Sequence, residues 1–422
     1  MINQYTLKNG MRVVCEQIEH VHSVSFGVWV FIGSKDEVKD KNGIAHMVEH
    51  MVFKGTKNRS AKDIADETAA IGGNINAYTS KEFTSYYARV LKEHLWEAID
   101  LIGDMLICSN MDQEDLEKEK GIVQEEIDMY NDSPEDLSHE MLQKKIWDNH
   151  ALGYLISGEK ETVQNLTRED IIDFMRDYYV GENMIISLAG SFDEKEVLLR
   201  LEALFSSIKQ KGKEKNNESP IFHPCIYVEK RDVEQIHLNI AFDSITTMSE
   251  ERYGFSVLNS ILGGGVNSRL FLRIREELGI TYSIYSYGSS FGQAGLFHIY
   301  AAMNPGQFST VIQEIGKELK KFAEEGPRPE ELLQAKEQIK TDLIIEEEST
   351  KYRMNSNAKS ILQFGEIIPI ENIIEKVNLI SKEDCIRYME QYFIKEKVSI
   401  GVVGNVNELE NISLIKEKLW NI

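Results

Sequence analysis

Cysteine is scarce in this chain of 422 residues: Cys15, Cys108, Cys225 and Cys385 are the four, and no two stand at C-x-x-C spacing. That spacing argues against both a disulfide scaffold and a thiolate zinc site, and leaves them as reduced, mostly buried small residues. No run approaches the roughly 18 apolar residues of a membrane span. The opening Met1 to Gly10 has no basic start followed by an apolar stretch, so neither a secretory signal nor a transit peptide is readable there. A cytoplasmic protein with no membrane partner is the expectation. Positive charge is the minority sign, with 47 Lys and Arg against 69 Asp and Glu and a formal net charge of −22. A nucleic-acid partner is thereby disfavoured, whereas cationic ligands are attracted wherever part of that acidity lines a cavity. A content of 42% hydrophobic and 27% charged residues excludes disorder as the theme, and the length exceeds one ordinary core, so two or more domains are expected.

A polar, breaker-rich stretch from Ile208 to Pro220 lies near the middle and reads as a linker. The halves on either side repeat one another. Leu166-Thr-Arg-Glu-Asp-Ile-Ile-Asp-Phe-Met-Arg-Asp-Tyr-Tyr179 matches Ile380-Ser-Lys-Glu-Asp-Cys-Ile-Arg-Tyr-Met-Glu-Gln-Tyr-Phe393 at an offset of 214, and the apolar runs Ile185 to Gly190 and Ser399 to Gly404 follow at the same offset. Each is a Thr- or Ser-capped helix leading into a strand closed by Gly. In the first copy, β-type patterns at Met11 to Cys15 and Ser23 to Gly33 precede helical ones at Gly43 to Phe53 and Ala61 to Ile71. A hairpin, Asn74 to Thr79 and Thr84 to Val90, comes next, then helical patterns over Glu93 to Ile107, Gln113 to Tyr130 and Pro134 to Trp147. The expected fold class is α+β: two internally duplicated domains, each a mainly antiparallel sheet covered by helices, together enclosing a cavity. The expected domains are residues 1–210 and 223–422, joined by a linker over 211–222.

The segment His46-Met-Val-Glu-His50 carries the chemistry. Residues three and four apart share a helix face, so His46 and His50 can grip one ion while Glu49 projects beside them. With ten His in the chain, an H-x-x-E-H string arises by chance about 0.02 times. A hydrolytic zinc site takes three protein ligands and keeps one position for water, so a third donor is needed. The helical run Glu119 to Glu126 offers Glu119, Glu125 and Glu126, and neighbours on a helix point about 100° apart, so only one of the last two can face the ion. Glu49 is the expected base, taking a proton from a water activated by the metal. At the offset of 214, the second copy has Ser260, Gly263 and Gly264 in place of His46, Glu49 and His50, so one zinc ion per chain is expected. The run Gly263 to Gly265 lacks the lysine of a phosphate loop and reads as a loop or tight helix entry.

The chain resembles the pitrilysin and insulinase type of inverzincin metallopeptidase, in the short two-domain branch that includes the β subunit of mitochondrial processing peptidase and bacterial relatives. The resemblance rests on Gly43-Ile-Ala-His-Met-Val-Glu-His-Met-Val-Phe-Lys-Gly-Thr56, on Gly72-Gly-Asn-Ile-Asn-Ala-Tyr-Thr-Ser-Lys-Glu-Phe-Thr-Ser-Tyr-Tyr87, on the pair Glu119 and Glu126, and on Gly263-Gly-Gly-Val-Asn-Ser-Arg-Leu-Phe271 with Arg275 to Tyr282. It implies Glu126 as third ligand, about 76 residues beyond His50 in the family pattern. It also implies Glu119 as a carboxylate that orients a ligand histidine, and Asn76 and Ala77 as residues that bind substrate backbone beside the metal. Arg275 and Tyr282 match the family's pair that reaches across the cavity to the substrate carbonyl. The function so implied is a zinc endopeptidase cutting extended peptides or unfolded precursor segments, with basic peptides favoured. Because one chain carries both the zinc motif and the Arg/Tyr pair, a self-sufficient subunit and a homodimer are expected.

Overall fold

The structure, a computed structural model, describes residues 2–215, 217–406 and 415–420. Its first half gives β1 (Ile2–Thr6), β2 (Arg12–Gln17), β3 (Ser23–Val30), α1 (Ile44–Met51), α2 (Ala61–Ala70), β4 (Asn74–Thr79), β5 (Thr84–Leu91), α3 (Leu95–Cys108), α4 (Gln113–Asp132), α5 (Pro134–Ile146), α6 (Lys160–Asn165), α7 (Arg168–Tyr178), β6 (Met184–Gly190) and α8 (Glu194–Leu204). The second half gives β7 (Ile226–Lys230), β8 (Ile236–Ser244), α9 (Arg252–Leu262), β9 (Ser283–Ser290), β10 (Gly295–Met303), α10 (Phe308–Glu325), α11 (Pro329–Glu346), α12 (Thr350–Phe364), α13 (Ile370–Leu379), α14 (Lys382–Tyr392), β11 (Val398–Gly404) and α15 (Ile415–Trp420). No described helix is long and apolar enough to cross a membrane.

Among the described residues two sheets form, one from each half, with strand orders β1-β2-β6-β3-β5-β4 and β7-β11-β8-β10-β9. Through the repeat, β2, β6, β3, β5 and β4 correspond to β7, β11, β8, β10 and β9, so the two orders are the same. Strand β1 is an addition at the edge of the first sheet. The pairs β2–β6 and β7–β11 are parallel, and the other neighbours run antiparallel. The repeated helices α7 and α14 start alike. Thr167 and Ser381 accept hydrogen bonds from the amides of Asp170 and Asp384, whose side chains reach back to the cap residue, closing a capping box in each copy.

The chain packs as two compact units, Met1–Asp128 with Tyr154–Asn216 and Ile345–Ile367, and Met129–Gly153 with Asn217–Ile344 and Ile368–Ile422. This differs from a contiguous division at 211–222, because each half lends one helix to the other half's sheet. Met354, Ala358, Ile361 and Leu362 of α12 pack on Val14, Trp29, Ile185 and Ala189 of the first sheet. Leu137, Leu142 and Ile146 of α5 pack on Tyr227, Ala241, Leu296 and Val403 of the second. The physical cause is strand composition. β3, β6, β10 and β11 are apolar along both faces and buried nearly throughout, so a sheet with helices on one face alone would leave the other face wet. Polar pairs fix the first lent helix: Ser187 Oγ donates to the Met354 carbonyl at 2.9 Å, and Asn357 Nδ2 to Glu16 at 2.7 Å beside the Arg353–Glu16 ion pair.

The described part of the 211–222 segment has no regular structure. Its near end is tied to the first unit, with the Lys213 amide bonded to the Asp177 carbonyl at 2.9 Å and the Lys215 ammonium 3.9 Å from the centre of the Phe31 ring. Gly263 ends α9, and the loop to Ser268 leads into a π-helical turn, Phe271–Glu277.

Candidate metal centre

Helix α1 presents the motif because its other face is apolar. Ile44, Ala45, Met47, Val48 and Met51 enter the first unit's core, which turns His46, Glu49 and His50 away from it. Gly43 caps the helix with φ of 97°, a left-handed conformation that glycine adopts without strain, and a Cβ there would stand 2.8 Å from the Ser157 carbonyl oxygen. Two further elements complete the surroundings. Helix α4 brings Glu119 and Glu126 on turns facing α1, while Glu125 points into solvent. Strand β4 forms the edge of its sheet, next to α1.

His46 Nε2 and His50 Nε2 each lie 3.7 Å from Glu126 Oε2. One ligand atom from each of the three falls within 4.8 Å of the others, and this is the one such cluster of His, Cys, Asp and Glu among the described residues. The spacing is too long for hydrogen bonds, but donors on a tetrahedral zinc ion stand about 3.4 Å apart. The three side chains therefore fit an ion between them. Two imidazole nitrogens and one carboxylate oxygen are also the donor set of a hydrolytic zinc site with a position to spare.

The surroundings favour the ligand forms of both histidines. Burial, with a smaller effect from His50, pushes His46 down to about 4, so it stays neutral at neutral pH. His50 Nδ1 lies 3.0 Å from Glu119 Oε2, which assigns the ring proton to Nδ1 and leaves the Nε2 lone pair facing Glu126. Glu119 is 3% exposed and is itself held by the Lys54 ammonium at 2.6 Å. Glu49 accepts a hydrogen bond from Thr79 Oγ at 2.6 Å, and burial raises its carboxyl above the ordinary range against that bond.

Asn76 and Ala77 lie on β4, the first exposed and the second buried, with the Ala77 amide bonded to Asn76 Oδ1 at 2.8 Å. Arg275 and Tyr282 lie in the other compact unit. Arg275 stacks over Phe271 at 4.5 Å on the π-helical turn, and Tyr282 is 77% exposed at the entry to β9. Thr79 and Lys54 are site residues that motif spacing did not single out. Lys54 is one helical turn past His50, a signal that was readable, whereas Thr79 depends on how β4 meets α1.

Residues 12–160 match the family model for insulinase (peptidase family M16), and residues 165–339 match that for the peptidase M16 inactive domain. A Bacillus subtilis (strain 168) protein named "Uncharacterized zinc protease YmxG" is 39% identical over 396 residues, covering 94% of this chain and 97% of that protein. A Streptomyces coelicolor protein named "Uncharacterized zinc protease SCO5738" is 34% identical over 418 residues, covering 96% and 90% respectively. Among solved structures, that of a protease from Helicobacter pylori superposes with a TM-score of 0.89 over 96% of this chain and 99% of the other, at 23% identity, which shows a shared fold. With more than a third of its residues shared along nearly its whole length with a named zinc protease, and its first half matched to the insulinase model, the chain belongs to peptidase family M16.

Proposed function

We propose that this chain is a zinc endopeptidase that hydrolyses extended peptides or unfolded precursor segments, using one zinc ion held by His46, His50 and Glu126. The observation that carries the reading is the convergence of those three donors within 4.8 Å, with the half-buried Glu49 on the same helix. When bound, zinc supplies Lewis acidity at the scissile carbonyl and its attacking water. Glu49 takes the proton from the attacking water and returns it to the leaving amine, while Thr79 holds the carboxylate in line. Glu119 keeps His50 in the tautomer that offers Nε2. The edge strand β4 lets a peptide add by main-chain hydrogen bonds beside Asn76 and Ala77, which makes recognition tolerant of sequence. Arg275 and Tyr282 act as the donors to the substrate carbonyl. Basic peptides are favoured by the net charge of −22, and the chain works as a homodimer.

Digestion of a mixed peptide library with the wild type and Glu49→Gln, each with its zinc content measured, tests reaction, metal and specificity together. Equal zinc with turnover lost in the variant is expected, and substantial peptidase activity in Glu49→Gln would falsify the assignment. Matched acidic and basic peptides cut at equal rates at low salt would remove the charge preference.

A further inference from the structure

Under the first turn of α1 lies a carboxylate that the chemistry above does not use. Glu37 is 6% exposed, and it accepts hydrogen bonds from the amide of Gly43 at 2.8 Å, the amide of Ala45 at 2.8 Å and Asn42 Nδ2 at 2.8 Å. Every one of these partners is a donor, so a proton on Glu37 would find no acceptor among them. The ionised form suits the place, at the positive end of a helix. Burial raises its carboxyl, to about 8 even with the three donors pulling it down. The clamp is anchored in turn: Asn42 Nδ2 also donates to the Leu155 carbonyl at 2.8 Å, and Thr162 Oγ donates to the Asn42 carbonyl at 2.7 Å.

We infer that Glu37 is a positioning residue for the reaction, fixing the first turn of α1 so that His46 and His50 present Nε2 to one point; the inference rests on the zinc-peptidase reading. Helix α1 has only eight residues. A helix that short has few internal bonds to set against the cost of nucleation, and the first amides of any helix have no partner within it. Ala45, whose amide Glu37 holds, immediately precedes His46, so fraying of that turn would carry the first ligand away. Metal ligands tolerate errors of only about 0.2 Å.

The second copy offers a contrast at the start of its own helix. Helix α9, which stands in the second copy where α1 stands in the first, is directly preceded by Glu251, its N-cap, whereas Glu37 lies seven residues before α1. Glu251 makes no side-chain cap bond to α9 and accepts instead from the Tyr392 hydroxyl. Helix α1 is held at its start by a side-chain carboxylate, and α9 is not held in that way by the acidic residue that precedes it.

The test uses the full chain, stripped of metal, with zinc affinity measured by chelator competition, cobalt(II) visible spectra recorded, and the thermal midpoint of the apoprotein followed alongside. Glu37→Gln should weaken zinc binding by about 10- to 100-fold and alter the cobalt spectrum, because its amide nitrogen faces donors where the carboxylate accepted. Glu251→Gln should leave affinity and spectrum unchanged even if the midpoint falls. Wild-type affinity and spectrum in Glu37→Gln overturn the inference whatever the midpoint does. If Glu37→Gln does not fold, Asn42→Ala decides: weaker zinc binding supports the clamp, and wild-type binding overturns it. A wild type that takes up no zinc overturns the peptidase reading and this inference with it, whereas a wild type and a Glu37→Gln chain that bind equally overturn the inference alone.

Discussion

Lys54, Glu119 and His50 form a chain of polar contacts that leads to Nδ1 of a candidate ligand histidine, with distances of 2.6 Å and 3.0 Å. Glu119 is buried, so an uncompensated carboxylate there is costly, and the ammonium of Lys54 offsets that cost while the histidine uses the other oxygen. Glu119→Gln should weaken zinc binding by about 10- to 100-fold, and Lys54→Met should act in the same direction by a smaller factor, both read by chelator titration. Unchanged affinity in Glu119→Gln would remove its orienting role. At this scale much was legible. The H-x-x-E-H spacing named two imidazoles and a carboxylate because helical periodicity is fixed. The choice between Glu125 and Glu126 needed either a family pattern or the packing of α4, since adjacent carboxylates look alike in sequence. Glu37 lay in plain view, but nothing in its neighbourhood announces that residues 37 and 45 meet.

Elements were read well where they answer to local rules. The hairpin β4–β5 and the helices α3, α4 and α5 fall within a few residues of their expected spans, because turn chemistry, Pro at the first turn and apolar spacing all act over short range. Partners are a different matter. The apolar faces of α5 and α12 say that they must be buried, not on which sheet, so the exchange of helices between the halves could not be read from either stretch alone. The π-helical turn at Phe271–Glu277 likewise has no signature in composition. The lent helices carry real stability. Leu142 of α5 is 0% exposed, and Leu142→Ala should cost about 2–5 kcal/mol in urea unfolding. A loss well under 1 kcal/mol would show that α5 is not seated on the second sheet.

For the molecule as a whole, acid should act through a cluster of histidines and tyrosines in the second unit. Burial pushes His139 down to about 4, outweighing the pull of Glu135 and Asp136, and pushes fully buried His298 down to about 3. Both are neutral in the folded chain at pH values where an unfolded chain, with histidine near 6.5, has begun to bind protons. The unfolded state then holds more protons, so stability falls as pH drops from about 6.5 towards 4. His139→Gln should flatten that slope in urea titrations run at pH 7.5 and 5, and an equal slope in wild type and variant would exclude its contribution. The exchanged helices reach further. In chain order, the units divide at 128/129, 153/154, 216/217, 344/345 and 367/368, so the backbone passes from one to the other five times. A single cut in the 211–222 segment therefore should not release two separable domains. The fragments should behave as the two parts of a split protein, each holding a helix that the other needs, and should elute together at the mass of the intact chain until a denaturant pulls them apart.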